Sequence, residues 1–291
     1  MRIAIIGDCY PPIRSSASVM LENLASEFLK QGHQPIVITP DSTIKKPIVM
    51  SLINGVEVYR VLAPKTKDVG YIRRTFSEFL MPFIIRRRLR KSDNFQYLLD
   101  GIVWYSPSIF FGPLIKYLKN EHNCKGYLVL RDIFPDWAVD MGLMKRGIAF
   151  YFFKTIESYQ YSVADSIGFQ AKANINYLSK WEIKNIRKIE LLNNWLSDVK
   201  PAKCSIDLNN SILDKRKIFV YSGNMGIAQG INLFLDVIQK LDKTRDDIGF
   251  VFVGGGSEVL SLINESKKRE LKNILFFDEI PHKEMPNLYS Q

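Results

Sequence analysis

The chain begins with an unbroken apolar run, Ile3–Gly7, and continues through a loop over Asp8–Ser18. Leu21, Leu24, Ala25 and Phe28 then recur at the i, i+3, i+4, i+7 spacing of one helix face. Gly32 stands where such a helix would be capped, and "PIVITP" (35–40) reads as a buried strand. Strand, loop, helix and strand within forty residues predict a parallel sheet with a right-handed crossover. Further strands are expected at Val56–Leu62, Ile102–Tyr105, Tyr127–Leu130, Ser166–Phe169 and Ile189–Leu192, most of them separated by helical patterns. Polar residues with Pro, Ser and Asn then dominate over Val199–Lys217, which reads as a linker. The alternation restarts with strands at Ile218–Tyr221, Phe250–Val253 and Ile274–Phe277 and helices at Ile231–Leu241 and Val259–Ser266.

The pattern therefore predicts two α/β units, residues 1–199 and 218–291, joined by residues 200–217. The second unit offers only about three β/α repeats, whereas doubly wound domains have about five or six strands. The final "KEMPNLYSQ" reads as the start of a helix. The second domain is thus expected to be minimal or cut short.

One segment stands apart. In "YIRRTFSEFLMPFIIRRRLRK" (71–91), Ile72, Phe76, Phe79, Leu80, Phe83 and Ile84 form one helical face. Arg73, Arg74, Arg86, Arg87, Arg88, Arg90 and Lys91 flank it, against the single acid Glu78. Large apolar residues beside arginines favour an interfacial membrane helix, with a core helix carrying a solvated basic end as the alternative. Pro82 is expected to kink it.

Composition narrows the picture. The chain has 291 residues, 46% hydrophobic, with three widely spaced cysteines, which argues against a disulfide framework. "IAIIG" is too short for a signal peptide, and no apolar stretch is long enough for a spanning helix. The net charge is +10: residues 1–200 hold 28 Lys and Arg against 18 Asp and Glu, while residues 201–291 hold 12 of each. The whole excess lies in the first unit, which points to an anionic partner there, or to a merely basic surface. Nucleic acid is disfavoured because no recognised binding module accompanies the basic patch.

Three stretches could carry chemistry. In "FVYSGNMGIAQG" (219–230) a strand runs into glycines and then a helix, with Gly223 and Gly226 placed to let backbone N–H groups approach a phosphate. Asn224 and Gln229 offer neutral donors, and the same turn could serve sterics alone. In "VFVGGGSEV" (251–259), Gly254–Gly256 could wrap a base or ribose or simply make a loop. In "VLRDIFPDWAVDMGL" (129–143), Asp132 and Asp136 follow a strand beside Arg131, at the sheet edge where open α/β folds place sites. Paired carboxylates can do acid/base work, and Asp136 after Pro135 fits a helix N-cap as well. The histidines and cysteines form no metal spacing, and "GDCYPP" is not the fingerprint of a nicotinamide oxidoreductase.

Six stretches in order resemble a family-four glycosyltransferase of GT-B fold: "YPPIRSSASVMLENLASEFLKQGHQPIVITP", "YSPSIFFGPLIKYLK", "ADSIGFQA" and the two glycine turns, with "NILFFDEIPHKEMPNLYS". "VLRDIFPDWAVDMGL" is similar to the N-acetyl-L-fucosamine transferase-like branch of O-antigen and capsule synthesis. The resemblance implies two Rossmann-like domains, the second incomplete. It implies metal-independent, retaining transfer from a nucleotide-diphosphate sugar, UDP-linked, to a lipid-linked glycan, with no separate cofactor, at the inner face of the cytoplasmic membrane. Asp132 and Asp136 would be catalytic. Gly223, Asn224, Met225, Gly226, Gln229, Gly254 and Gly255 would face the donor. Ser15 and Ser16 would line the acceptor loop, where relatives carry a glycine pair. Arg73, Arg74, Phe79, Phe83, Arg86, Arg87 and Arg88 would meet the membrane. The family's two-glutamate motif is absent, so a truncated enzyme with little activity is expected. The competing expectation is a non-catalytic module docking on a membrane or partner through residues 71–91.

Overall fold

The computed structural model describes the whole chain except residues 14, 67–68, 93–94, 96–97, 179–187 and 198–199. It divides into two units, Met1–Ser197 and the remainder to Gln291. The expected boundary at 199 falls outside the described residues.

The first unit starts with β1 (Arg2–Ile6), helix α1 (Ser16–Lys30) and β2 (Gln34–Asp41). Ser15 caps α1, its hydroxyl accepting from the Ser18 N–H at 3.1 Å, and Gly32 turns the chain at φ +79°. A hairpin follows, β3 (Ile48–Ile53) and β4 (Val56–Leu62), antiparallel around Asn54 and Gly55, both left-handed. The sequence reading had only the second of these strands. Asn-Gly between apolar runs is the signal for a type I′ turn and would have found the first.

Then come α2 (Tyr71–Arg90), β5 (Gly101–Tyr105), α3 (Gly112–His122) and β6 (Lys125–Leu130). The short α4 (Asp136–Asp140), α5 (Ile148–Val163), β7 (Ser166–Phe169) and β8 (Lys188–Leu191) complete the unit. The sheet order is β3-β4-β2-β1-β5-β6-β7-β8, parallel except for the hairpin. Strand residues alternate between two cores: Ala4 and Ile6 face the layer of α2, α3 and α5, while Ile5 packs with Leu21 and Ala25 of α1.

Helix α2 runs unbroken through Pro82, and of the two arrangements expected for its apolar stripe it takes the outward-facing one. Ser77, Met81, Pro82, Ile85 and Leu89 face the core, whereas Ile72, Phe76, Phe79, Leu80 and Phe83 of the apolar stripe are exposed.

The second unit holds a parallel sheet in the order β11-β10-β9, from β9 (Lys217–Ser222), β10 (Ile248–Val253) and β11 (Ile274–Phe277). Helices α6 (Asn232–Asp242) and α7 (Val259–Lys268) cover one face, with Leu235, Ile238 and Leu262 against Phe250 and Phe252. The other face is covered by Ile206, Leu208 and Leu213 together with Leu288 of α8 (Met285–Tyr289). Residues 200–217, expected as a linker, are therefore part of this unit. The Ala202 N–H donates to Lys283 O at 2.7 Å, and the Gln291 amide spans Ile206 O at 2.9 Å and the Leu208 N–H at 2.7 Å. Three apolar side chains hidden among polar ones gave that stretch its linker-like composition.

Candidate active site

In an open parallel sheet the crevice forms at the carboxyl ends of the strands where strand order reverses. In the first unit that point lies between β1 and β5. The loop after β1 carries Asp8, Cys9 and the cis Pro11-Pro12 bond, then Ser15. Arg131 and Asp132 follow β6. Arg131 donates to Asn194 Oδ1 and reaches the Met20 sulfur at 3.1 Å, with its guanidinium 5.8 Å from the Tyr105 ring centre. The Tyr105 hydroxyl also reaches that sulfur, at 3.4 Å, and Trp195 Nε1 donates to Met20 O at 2.9 Å. β5, β6, α1 and the segment after β8 thus converge on one cluster. Burial pushes the Tyr105 phenol up to about 12, partly offset by Arg131. Asp132 is an exposed residue, yet the protein crowding its carboxyl raises its pKa against the pull of Arg131. A carboxyl with a raised pKa beside a fixed cation is a candidate for proton transfer.

The two aspartates part company here. Asp136 opens α4 and is tied to Lys154 of α5 at 2.5 Å, while Lys154 also meets the buried Glu157 at 2.6 Å. Burial alone would lower Lys154, and its two carboxylate partners outweigh that and raise it. Asp136 is thus a brace between two helices, and of the two aspartates Asp132 is the one with no hydrogen-bond or ion-pair partner among the described residues. Ser15 spends its hydroxyl on the α1 cap and a 3.4 Å contact with the Cys9 sulfur, while Ser16 stays exposed. Sequence reasoning missed Gln160. This fully buried amide accepts from the Phe111 N–H at 3.1 Å and donates to Ser108 O at 3.0 Å, holding the loop after β5. A polar residue in the buried-face register with Phe150 and Glu157 was the available signal.

In the second unit the two glycine turns pack backbone on backbone. A Cβ on Gly254 would lie 2.1 Å from Gly223 O, and one on Gly256 would lie 2.3 Å from Met225 O. The Gly223 N–H donates to Val253 O at 2.9 Å and the Met225 N–H to Gly255 O at 2.7 Å. Met225, expected to face the donor, is instead wholly buried in the core beneath the turn. Gly226 is also buried, its N–H held by Gln229 Oε1 at 3.2 Å, and Asn224 Nδ2 donates to that same oxygen at 3.2 Å. Gln229 therefore stiffens the turn. Among the described residues, the N–H groups of Asn224, Gly255 and Gly256, all at exposed positions of these turns, have no backbone acceptor. Free backbone N–H groups in adjoining glycine turns can hold an anion without any cation. Among the described residues, no group of three or more His, Cys, Asp or Glu is gathered as a metal site.

Of the residues expected at the membrane, Arg73, Arg74, Phe79, Phe83, Arg86 and Arg87 are exposed. Arg74 pairs with Glu78 at 2.8 Å, and Arg86 lies 4.4 Å over the Tyr117 ring. Arg88 is half-buried and donates to Leu62 O, which removes it from the free cations.

This architecture is GT-B, the fold of a large class of sugar transferases. The chain superimposes on E. coli "Trehalose-6-phosphate … bound with UDP-2-fluoro glucose" with TM-score 0.73 at 8% identity, over 99% of this chain and 76% of that one. It superimposes on WaaG, a glycosyltransferase involved in lipopolysaccharide biosynthesis, with TM-score 0.60 at 12% identity, over 97% and 72%. Residues 206–291 match the family model of Glycosyl transferases group 1. By sequence the chain is similar to the "Probable glycosyltransferase WbjE" of Pseudomonas aeruginosa, 22% identical over 96% of this chain and 69% of that protein. It is also similar to Escherichia coli K12 WcaI, named for colanic acid glycosyl transfer, 24% identical over 65% of this chain and 48% of that protein.

Proposed function

We propose that the chain is a glycosyltransferase of surface polysaccharide synthesis. It takes a sugar from a nucleotide-diphosphate donor, UDP-linked, and passes it to a lipid-linked glycan at the inner face of the membrane, without a metal and with retention. The transferred sugar is an N-acetylated deoxysugar, as in the fucosamine-transferring branch it resembles. The observation that carries this reading is the pair of interlocked glycine turns after β9 and β10, which leaves the Asn224, Gly255 and Gly256 N–H groups pointing to no protein partner. A diphosphate satisfies such donors, and the turn needs no lysine because backbone N–H groups supply the positive field. Asp132, beside Arg131, is the candidate acid/base group on the acceptor side. The relatives' names and the UDP-sugar bound to one structural neighbour support the same class.

Calorimetric titration with UDP and a panel of UDP-sugars, with and without EDTA, tests the donor site. The expected result is micromolar to millimolar binding that EDTA leaves unchanged. No heat with any nucleotide would favour a non-catalytic docking module and overturn the proposal. Incubation of the same panel with membrane lipid extracts tests transfer, and NMR of the product's anomeric proton tests retention.

A further inference from the structure

The apolar side of α2 is part of a larger outward face. Phe83 and Phe79 lie 6.0 Å apart by ring centres, and Phe79 lies 6.4 Å from Phe152 of α5. The contacts continue from Phe152 to Phe153 (5.3 Å), Phe153 to Phe134 (5.1 Å) and Phe134 to Trp137 of α4 (6.1 Å). This unbroken aromatic ladder fixes three helices relative to one another, each step in the favourable range for ring pairs. Around it stand large side chains with no cover: Phe76 is 66% exposed, Leu143 68%, Tyr151 64% and Ile148 92%. An aromatic ladder whose elements carry this many exposed large apolar side chains points to an interaction surface.

Charge indicates the occupant. At the end of α2 a cleft of about 560 Å³ opens, floored by Ile48 and Ile84 and rimmed by Lys46, Arg87 and Lys91. None of those three cations has a carboxylate partner among the described residues. Arg73 near the start of α2 and Lys145 and Arg146 before α5 are further exposed cations on the same elements, against the exposed Asp140. Apolar aromatic area bordered by unpaired cations is complementary to an anionic bilayer, acyl boundary to the one and headgroup phosphate to the other.

We propose that α2, α4 and α5 together form a two-walled docking surface for an anionic lipid bilayer. The α4–α5 wall of Leu143, Ile148 and Tyr151 inserts beside the α2 stripe, and the Lys46–Arg87–Lys91 cleft receives a lipid phosphate. This rests on the reading that the acceptor is lipid-linked, and goes beyond it by naming a second wall and a headgroup site.

The test uses the full chain and sedimentation with vesicles of phosphatidylcholine, with and without phosphatidylglycerol. Three triple variants are compared: F76S/L80S/F83S on α2, L143S/I148S/Y151S on the second wall, and K46A/R87A/K91A at the cleft. Wild type should partition onto the anionic vesicles and only weakly onto the neutral ones. Each wall variant should lower that partition at least tenfold, and the cleft variant about a hundredfold, at roughly fivefold per cation near an anionic surface. Thermal melting checks that the variants fold. If a triple variant melts early, the single substitution Ile148→Ser, at an almost fully exposed position, replaces it, with an expected loss of at least threefold. Failure of wild type to bind either vesicle would overturn the membrane reading as a whole. Binding weakened by the α2 variant but not by the second-wall variant would overturn the two-walled surface and leave that reading standing. Equal binding to neutral and anionic vesicles would overturn the headgroup site. A wild-type dimer made monomeric by the wall variants, with no vesicle binding, would assign the face to a second copy and overturn the proposal.

Discussion

The substitution Gly256→Ala isolates what the interlocked turns require. An added methyl would sit 2.3 Å from Met225 O, 2.5 Å from its carbonyl carbon and 2.7 Å from its nitrogen. All three neighbours are backbone, and they cannot swing aside as a flexible side chain would. The Met225 backbone is itself clamped, donating to Gly255 O at 2.7 Å and accepting from the Glu258 N–H at 2.9 Å. Overpacking of this kind costs about 1–3 kcal/mol. Gly256 also has φ +146°, where a side chain adds about 1–3 kcal/mol of strain. The combined loss is about 2–6 kcal/mol, which for a unit of this size lowers the melting temperature by at least about 8 °C. Gly255→Ala is the control. A Cβ there meets nothing within 4 Å, so the fold should keep its stability to within about 1 kcal/mol. Gly255 carries one of the free N–H groups, so under the proposed function its methyl crowds the diphosphate. Loss of one charge-assisted hydrogen bond, about 1.5–3 kcal/mol, should weaken UDP binding about tenfold or more. Differential scanning calorimetry and UDP titration of both variants read the two effects separately. A Gly256→Ala protein melting with wild type, or a Gly255→Ala protein binding UDP undiminished, would refute the reasoning.

Two further predictions concern the carboxylates. Asp132→Asn should lower kcat by about a hundredfold or more with the melting temperature held, whereas Asp136→Asn should lower stability by about 1–2 kcal/mol through the lost Lys154 pair; the reverse pattern would exchange their roles. Glu157, almost wholly buried, has its pKa raised above 4.5 by desolvation, with Lys154 opposing. The folded state therefore binds more protons than the unfolded chain just above pH 4.5, and the stability due to this group falls as pH rises through the raised value. Glu157→Gln should flatten that part of the stability–pH curve measured by urea titration, and an unchanged slope would count against the assignment.

Much of the scaffold was legible from local pattern. Runs such as "IAIIG" and "FVFVGG" are strands because short apolar segments ending in glycine can be buried on both faces of a parallel sheet, and their order predicts the two α/β units. The linker reading failed because polar composition is an average, and three buried side chains, Ile206, Leu208 and Leu213, suffice to seat a segment on a sheet. The candidate site was legible as a neighbourhood rather than as a set of atoms. Gly223–Gln229 and Asp132 stand at carboxyl ends of strands, as periodicity places them.

The sequence alone determined which residues lie at those edges, because strand direction and loop position follow from hydrophobic period. Which of them are available was decided only in three dimensions. Asp136 became a brace because Lys154 arrives from α5, eighteen residues away in sequence. Gly226 gives its N–H to Gln229, whereas Gly255 engages its carbonyl, with the Met225 N–H, and no acceptor meets its N–H among the described residues. The stripe on α2 faces outward because Met81, Ile85 and Leu89 already fill the sheet side, and a helix buries only one face against a sheet. Periodicity reveals that a face is apolar, and packing alone decides whether that face meets the core or the surroundings.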